Sequence, residues 1–333
     1  MSRANLSGIL LALLAFGLFS VHDVIVKFLG GSYTPFQIVF FSVLFGFPLA
    51  TFMLMRDPSD GNLRPKHPWW TALRTGAAVL TGVTAFYAFS VLPLAQVYAI
   101  LFATPLLITV LSIPILGEKV RIRRWAAVIV GLIGVVIVLR PGETELTLGH
   151  ASALGCAVSG ALASVIVRKI GREERSVVLM LYPMMANFVL MLAILPFVYV
   201  PVPVQDMTGF ATMSLLAFIA MLCLIGAYRR AEAALIAPMQ YSQIIWAILF
   251  GFLLFDEVPD AGTFIGVAVI IASGLYIVFR ESRGPGSDNQ PVLRTRSRSA
   301  TPGAMRVGGL MNSDEKDKGL KKRDEPQGLN TSD

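Results

Sequence analysis

Gly8 to Lys27 reads GILLALLAFGLFSVHDVIVK, and Gly149 to Arg168 reads GHASALGCAVSGALASVIVR. At a constant offset of 141 residues, Gly8 falls on Gly149, Ala12-Leu13 on Ala153-Leu154, Val24-Ile25-Val26 on Val165-Ile166-Val167, and Gly30 on Gly171. Each stretch closes on a base, Lys27 or Arg168. Further along, an offset of 139 sets Ala95 on Ala234, Phe102 on Tyr241 and Glu118 on Glu257. Self-similarity at two points of one long apolar chain predicts a unit used twice, an arrangement common among membrane carriers.

The composition around these stretches agrees. Of 333 residues, 55% are hydrophobic and 15% charged, against about 25% charged in soluble domains, and the mean hydropathy is +0.68. No water-soluble fold covers that much apolar surface. Spans of about 20 apolar residues are predicted at 6–29, 36–55, 70–91, 93–116, 124–140, 147–170, 176–199, 209–228, 233–255 and 261–279. In hydrocarbon the backbone finds no water partner, so each run reads as a helix. Turn chemistry separates them, as at Gly30-Gly31-Ser32, Asp57-Pro58, Pro93, Pro141-Gly142 and Pro201-Val202-Pro203. Arg3 before an apolar start resembles a signal peptide, but hydrophobicity runs on through Leu29 without a small-residue cleavage pattern, which predicts a retained first helix.

Charge sets the orientation. With the N-terminus cytoplasmic, inner loops receive Arg56, Arg64, Lys66, Lys119, Arg121, Arg123, Arg124, Arg168, Lys169, Arg172, Arg175, Arg229 and Arg230, whereas the outer side receives Arg140 and Lys27. That bias places both termini inside a plasma (inner) membrane, and Trp69, Trp70 and Trp125 fall near the inner interface. The bases avoid the apolar runs, so they read as topology and not as a nucleic-acid footprint. Five spans per unit is an odd number, so the second unit enters the bilayer from the opposite side. The expected fold is an all-α integral membrane protein of ten transmembrane helices in two inverted five-helix repeats, 1–143 and 144–280. Residues 281–333, rich in Gly, Pro, Ser and charge, read as a disordered basic cytoplasmic tail.

Two pentapeptides carry a family resemblance: Ile115-Leu116-Gly117-Glu118-Lys119 and Leu254-Phe255-Asp256-Glu257-Val258, each closing a Pro-containing helix and preceding a Gly-rich one. Over about residues 6–280 the chain resembles the drug/metabolite transporter superfamily, EamA type. The resemblance implies a ten-helix carrier with a central cavity between its halves, moving small metabolites. Asp256 stands where Gly is usual, and each unit keeps a different proline, Pro105 or Pro238, which predicts unequal contributions to the pocket.

Charges inside a span are costly, so they nominate sites. Asp23 is the one carboxylate well inside any span, and Lys27, four residues on, shares its helix face, which predicts an ion pair. The pair reads either as a headgroup and proton site or as structure with Lys27 snorkelling outward; His22, about 100° around the helix, is a second coupling candidate. Tyr98, Phe102, Pro105 and Thr109 share a face, and Pro105 frees a carbonyl. Gln240, Tyr241, Gln243 and Trp246 make the ninth span polar around Pro238, as solute sites in carriers are, although polar residues also glue helices together. Thr81, Thr84, Tyr87, Gln96 and Asn187 read as packing. Glu118 and Glu257 stand where a following helix begins and suit its dipole.

These features point to a secondary transporter, an exporter of a small organic metabolite, without catalytic residues, metal site or cofactor. No Gly-rich loop ending in Gly-Lys-Ser or Gly-Lys-Thr offers an ATP cradle. A metal or ion carrier, or a channel, is an alternative that needs clustered ligands. An intramembrane enzyme needs a nucleophile beside a base, and the chain has only His22, His67 and His150. The expected partners are a small organic solute and the lipid bilayer, with no nucleic acid and with a homodimer left open.

Overall fold

A computed structural model describes residues 3–54, 63–118, 120, 122–140, 145–171 and 173–282. Arg56, Lys119, Arg121, Pro141-Gly142, Arg172 and residues 283–333 of the predicted tail lie outside these, while its first two residues continue the last helix. The described chain is helical: α1 (Arg3–Gly30), α2 (Pro35–Leu54), α3 (Pro68–Val91), α4 (Leu94–Leu101), α5 (Thr104–Leu116), α6 (Ile122–Leu139), α7 (Leu148–Ile170), α8 (Ser176–Val198), α9 (Val204–Arg230), α10 (Ala233–Ile236), a 3-10 turn over Ala237–Ser242, α11 (Gln243–Phe255) and α12 (Ala261–Ser282). Among the described residues nine segments are long and apolar enough to cross a membrane, and α2 adds a shorter apolar stretch, Pro35–Pro48. Large apolar side chains such as Leu10, Ile133, Val189, Phe252 and Phe264 face outward, as lipid contact requires.

Two predicted spans are not continuous. Residues 93–116 break at Phe102 and Ala103 into α4 and α5, and 233–255 break into α10, the 3-10 turn and α11. The proline is the cause in each case. Pro105 has no N–H for the carbonyl of Leu101, which accepts the Thr104 hydroxyl at 2.6 Å instead; Pro238 sits in the first turn of the 3-10 segment.

The helices pack in exchanged pairs. α1 lies along α9 and α3 along α7, so the first helix of each stretch found by self-similarity meets the third helix of the other. Small residues permit the approach: a Cβ on Gly8 would stand 2.7 Å from that of Ala231, and one on Gly149 would stand 2.8 Å from Leu92. α6 and α12 touch through backbone, since a Cβ on Gly266 would lie 2.7 Å from the Gly134 carbonyl oxygen and one on Gly134 would lie 3.0 Å from that of Gly266. Ser273 donates across the same contact to the Ala127 carbonyl at 2.5 Å. α2 meets α8 by stacking Phe40 on Phe188, with centroids 5.5 Å apart. The largest core cluster therefore draws on both stretches, from Phe41 and Phe86 to Phe210 and Ile270.

Left-handed turns end the broken helices. Gly117 closes α5 at φ 70 and Asp256 closes α11 at φ 54, positions equivalent at the offset of 139. Asp256 replaces the glycine because Asp tolerates this conformation better than most L-residues.

Candidate functional site

α1 carries Ser20, His22 and Asp23 into the core at 2%, 1% and 1% exposure. Burying such groups costs free energy unless they find partners, and they find them in one network. His22 Nδ1 and Asp23 Oδ1 are 2.9 Å apart, although neighbours on a helix point about 100° apart; both side chains bend to meet. An ionised carboxylate only accepts, so in this contact Nδ1 is the donor. Nε2 has no hydrogen-bond partner among the described residues, and the imidazole and Phe86 rings are perpendicular with centroids 6.0 Å apart. The Tyr98 hydroxyl, from α4, donates to Asp23 Oδ2 and accepts from Gln243 Nε2, at the start of α11, at 3.3 Å. Ser20 Oγ stands 3.5 Å from that hydroxyl and donates to the Phe16 carbonyl at 2.9 Å.

Beside the network the two helix breaks face each other. Phe102, at the first break, meets Tyr241, in the second, edge to face with centroids 5.0 Å apart, and Tyr98 lies 6.1 Å from Phe102. Tyr241 needs Gly274 behind it: a Cβ there would collide with the phenol oxygen. Phe102 and Tyr241, which correspond at the offset of 139, are thus in contact with one another.

The repetition extends to family level, since the profile of the EamA-like transporter family matches twice, over residues 6–140 and 147–279. The chain belongs to the EamA-like transporter family. Among relatives of this EamA-like transporter, an S-adenosylmethionine uptake transporter of Rickettsia prowazekii is 26% identical over 86% of this chain and 98% of its own. A riboflavin transporter of Vibrio cholerae is 28% identical over 67% and 75%. The pseudopaline exporter CntI of Pseudomonas aeruginosa is 27% identical over 80% and 94%. A crystal structure with 22% identity matches 85% of this chain and 100% of its own with a TM-score of 0.57, which shows the shared fold. The EamA-like transporter is accordingly a multi-pass membrane protein of a small-molecule transport family.

Of the residues nominated from sequence, the EamA-like transporter brings His22, Asp23, Tyr98 and Gln243 into hydrogen-bonded contact and sets Phe102 and Tyr241 beside them. Gln240 is half-buried in the 3-10 turn. Trp246 stands apart from the network, stacked on Phe250 with its ring 3.6 Å from a Cβ built on Gly17. Thr81 ties α3 to α7 through Ser159 at 2.9 Å, and Asn187 bonds within its own helix to the Pro183 carbonyl.

The expected Asp23–Lys27 ion pair is corrected. Lys27 extends past its own helix to Glu257 Oε1 at 2.7 Å and to the Leu92 carbonyl at 2.6 Å, with its ammonium 5.1 Å from the Phe255 ring centroid. Sharing a helix face did not decide the pairing, because Asp23 was already held by His22 and Tyr98 and the flexible lysine stem reaches the helix end. Glu257 also differs from expectation: its Oε2 accepts the Leu94 N–H at 3.0 Å, so it caps α4, while Asp260 accepts the Thr263 N–H at 2.7 Å in the first turn of α12. At the other end Arg168 Nη2 donates to Glu118 Oε1, and Lys169 lies 4.3 Å above the Trp70 ring. These cross-pairs were missed, although the two offsets already held the signal: Lys27 corresponds to Arg168 and Glu118 to Glu257.

The network itself is one-sided. Equivalents of His22, Asp23 and Tyr98 are Ala163, Ser164 and Ala237, and Gln243 corresponds to Thr104. A cavity of about 130 Å³ is lined by Ala95, Gln96, Ala247, Gly251, Glu257 and Asp260, with Ala95 and Ala247 about one helical turn from Tyr98 and Gln243; His22, Asp23, Tyr98 and Gln243 are themselves buried.

Proposed function

We propose that the protein is a secondary transporter that exports a small organic metabolite in exchange for protons, by alternating access between two inverted five-helix halves, 1–143 and 144–280. The observation that carries the proposal is the enclosed Asp23 carboxylate, held by His22 and Tyr98 where the first helix of one half meets broken helices of both. One carboxylate that binds either a proton or a cationic group of the solute cannot bind both. Such competition makes the two move in opposite directions, and an inward proton gradient then drives export. Phe102, Tyr98 and Tyr241 provide ring surface for an apolar or aromatic portion, so the solute class is an amine or other cation with an aromatic or apolar body. The range of relatives, which includes S-adenosylmethionine and riboflavin transporters, supports a small organic solute.

An orientation with both termini cytoplasmic is supported by grouping of basic residues. Gly8 of α1 lies against Ala231, which follows Arg229 and Arg230, and Trp70 at the start of α3 lies under Lys169. Lys27 and Leu92 then face outside. Counterflow in proteoliposomes with an imposed proton gradient tests the proposal, using cationic aromatic amines as probes. Gradient-driven movement by the wild type that Asp23→Asn abolishes is expected; movement that survives Asp23→Asn with unchanged pH dependence overturns the assignment of the site.

A further inference from the structure

We infer that the ion pairs Lys27–Glu257 and Arg168–Glu118 are the outer and inner gates of the transport cycle, and that opening one favours closure of the other. The inference rests on the alternating-access carrier proposed above. Each pair joins the end of one half's first helix to the residue just beyond the left-handed turn that closes the other half's broken helix. The pairs are equivalent under the offsets of 141 and 139, so contact i to j is repeated as j to i, the reciprocity of a two-fold interface.

They stand at opposite ends of the molecule. The Lys27 amine binds the Leu92 carbonyl just past α3, whereas Lys169, next to Arg168, covers Trp70 in the first turn of α3. From Trp70 to Leu92 the helix rises about 33 Å at about 1.5 Å per residue. Both pairs are closed here, and the Asp23 network is enclosed between them. All four side chains are mostly buried, with exposures of 11% and 18% for the outer pair and 12% and 11% for the inner. Separating the halves at either end parts two mostly buried opposite charges, which is costly unless water enters. Simultaneous opening at both ends is therefore disfavoured, and each gate holds its end shut while the other is open. The cavity that reaches Glu257 and Asp260 lies under the outer gate, on the route to Tyr98.

Hydrogen exchange of the full-length protein in lipid nanodiscs, without solute, tests this. Lys27→Gln is expected to lose protection in α4 and over 251–260 while gaining protection over 113–118 and 165–171; Lys27→Arg, which keeps the pair, leaves the wild-type pattern. Glu118→Gln is expected to do the reverse. If Lys27→Gln does not fold, the inner pair decides: Glu118→Arg loses inner protection and gains outer, and adding Arg168→Glu restores the wild-type pattern. Changes confined to the mutated end show local fastenings and overturn the inference, as does loss at both ends together. The carrier reading is judged separately, by wild-type flux: a one-ended exchange response in protein that still exchanges solute for protons defeats the gates alone.

Discussion

Phe102 and Tyr241 are 139 residues apart in sequence and touch ring edge to ring face at 5.0 Å, which places corresponding positions of the two halves against one another at the centre of the molecule. That contact depends on room made elsewhere, because Gly274 leaves space for the Tyr241 phenol. Gly274→Ala is expected to cost about 1–3 kcal/mol as overpacking, seen as a lower Tm in detergent. Tyr241→Phe in the same chain should recover part of the loss by removing the colliding oxygen. A double variant no more stable than Gly274→Ala would show that the collision is relieved in another way.

Tyr98→Phe removes the hydroxyl that joins Asp23 to Gln243. A hydrogen bond to a charged group contributes about 1.5–3 kcal/mol, so Tm should fall by more than in Tyr87→Phe. The same variant should also weaken proton-driven exchange, since Asp23 loses one of its donors. Equal Tm for the two phenylalanine variants would remove Tyr98 from the network's energetics.

The left-handed turns make opposite demands on their residues. Gly117→Val forces a branched side chain to φ 70 and should cost about 1–2 kcal/mol. Asp256→Gly, at φ 54, relieves the corresponding strain and should leave Tm unchanged or higher. A marked fall in the Asp256→Gly variant would mean that the carboxylate, and not the backbone, holds that turn.

Outside the spans, Tyr33 donates to Asp206 at 2.5 Å. That hydrogen bond, followed by burial and by the charges of Asp206 and Tyr199, pushes the Tyr33 pKa from 10.0 up to about 12. A raised folded-state pKa means a contribution to stability that is complete below the unfolded value near 10 and is lost as pH rises through about 12. Alkaline difference spectra should show one late-ionising phenol missing from Tyr33→Phe, and that variant's Tm should fall less than the wild type's between pH 10 and 12. A Tyr33 phenol that ionises near 10 would contradict the hydrogen bond.

The apolar segments were legible because lipid demands long apolar runs; α9 runs over Val204–Arg230 where 209–228 was expected, the other outer ends lie within three residues of those expected, and proline broke two of the segments internally. Pro105 and Pro238 announced a disturbance, but a bend and a break carry the same letter, so the 3-10 turn at Ala237–Ser242 had to be seen. The site was legible as residue types: Asp23, His22, Tyr98 and Gln243 are costly to bury without a purpose or a partner. Their pairing was not. Helical spacing assigned Lys27 to Asp23, whereas the partner was Glu257, more than two hundred residues away and reachable only once the halves had exchanged helices. Glu118 and Glu257 were assigned to the helices that follow them, since a local rule cannot reach a helix end brought alongside by tertiary packing.

Ser164 occupies, in the second half, the place that Asp23 holds in the first, and its hydroxyl bonds back to Gly160 in its own helix. Two identical subunits meeting about the same axis would have to bury the acid twice, with like charges confronting one another in the hydrocarbon. Joining the copies in a single polypeptide frees one of them to discard it. The chain retains the mutual embrace of a homodimer while burying, between these two matching positions, one carboxylate instead of two.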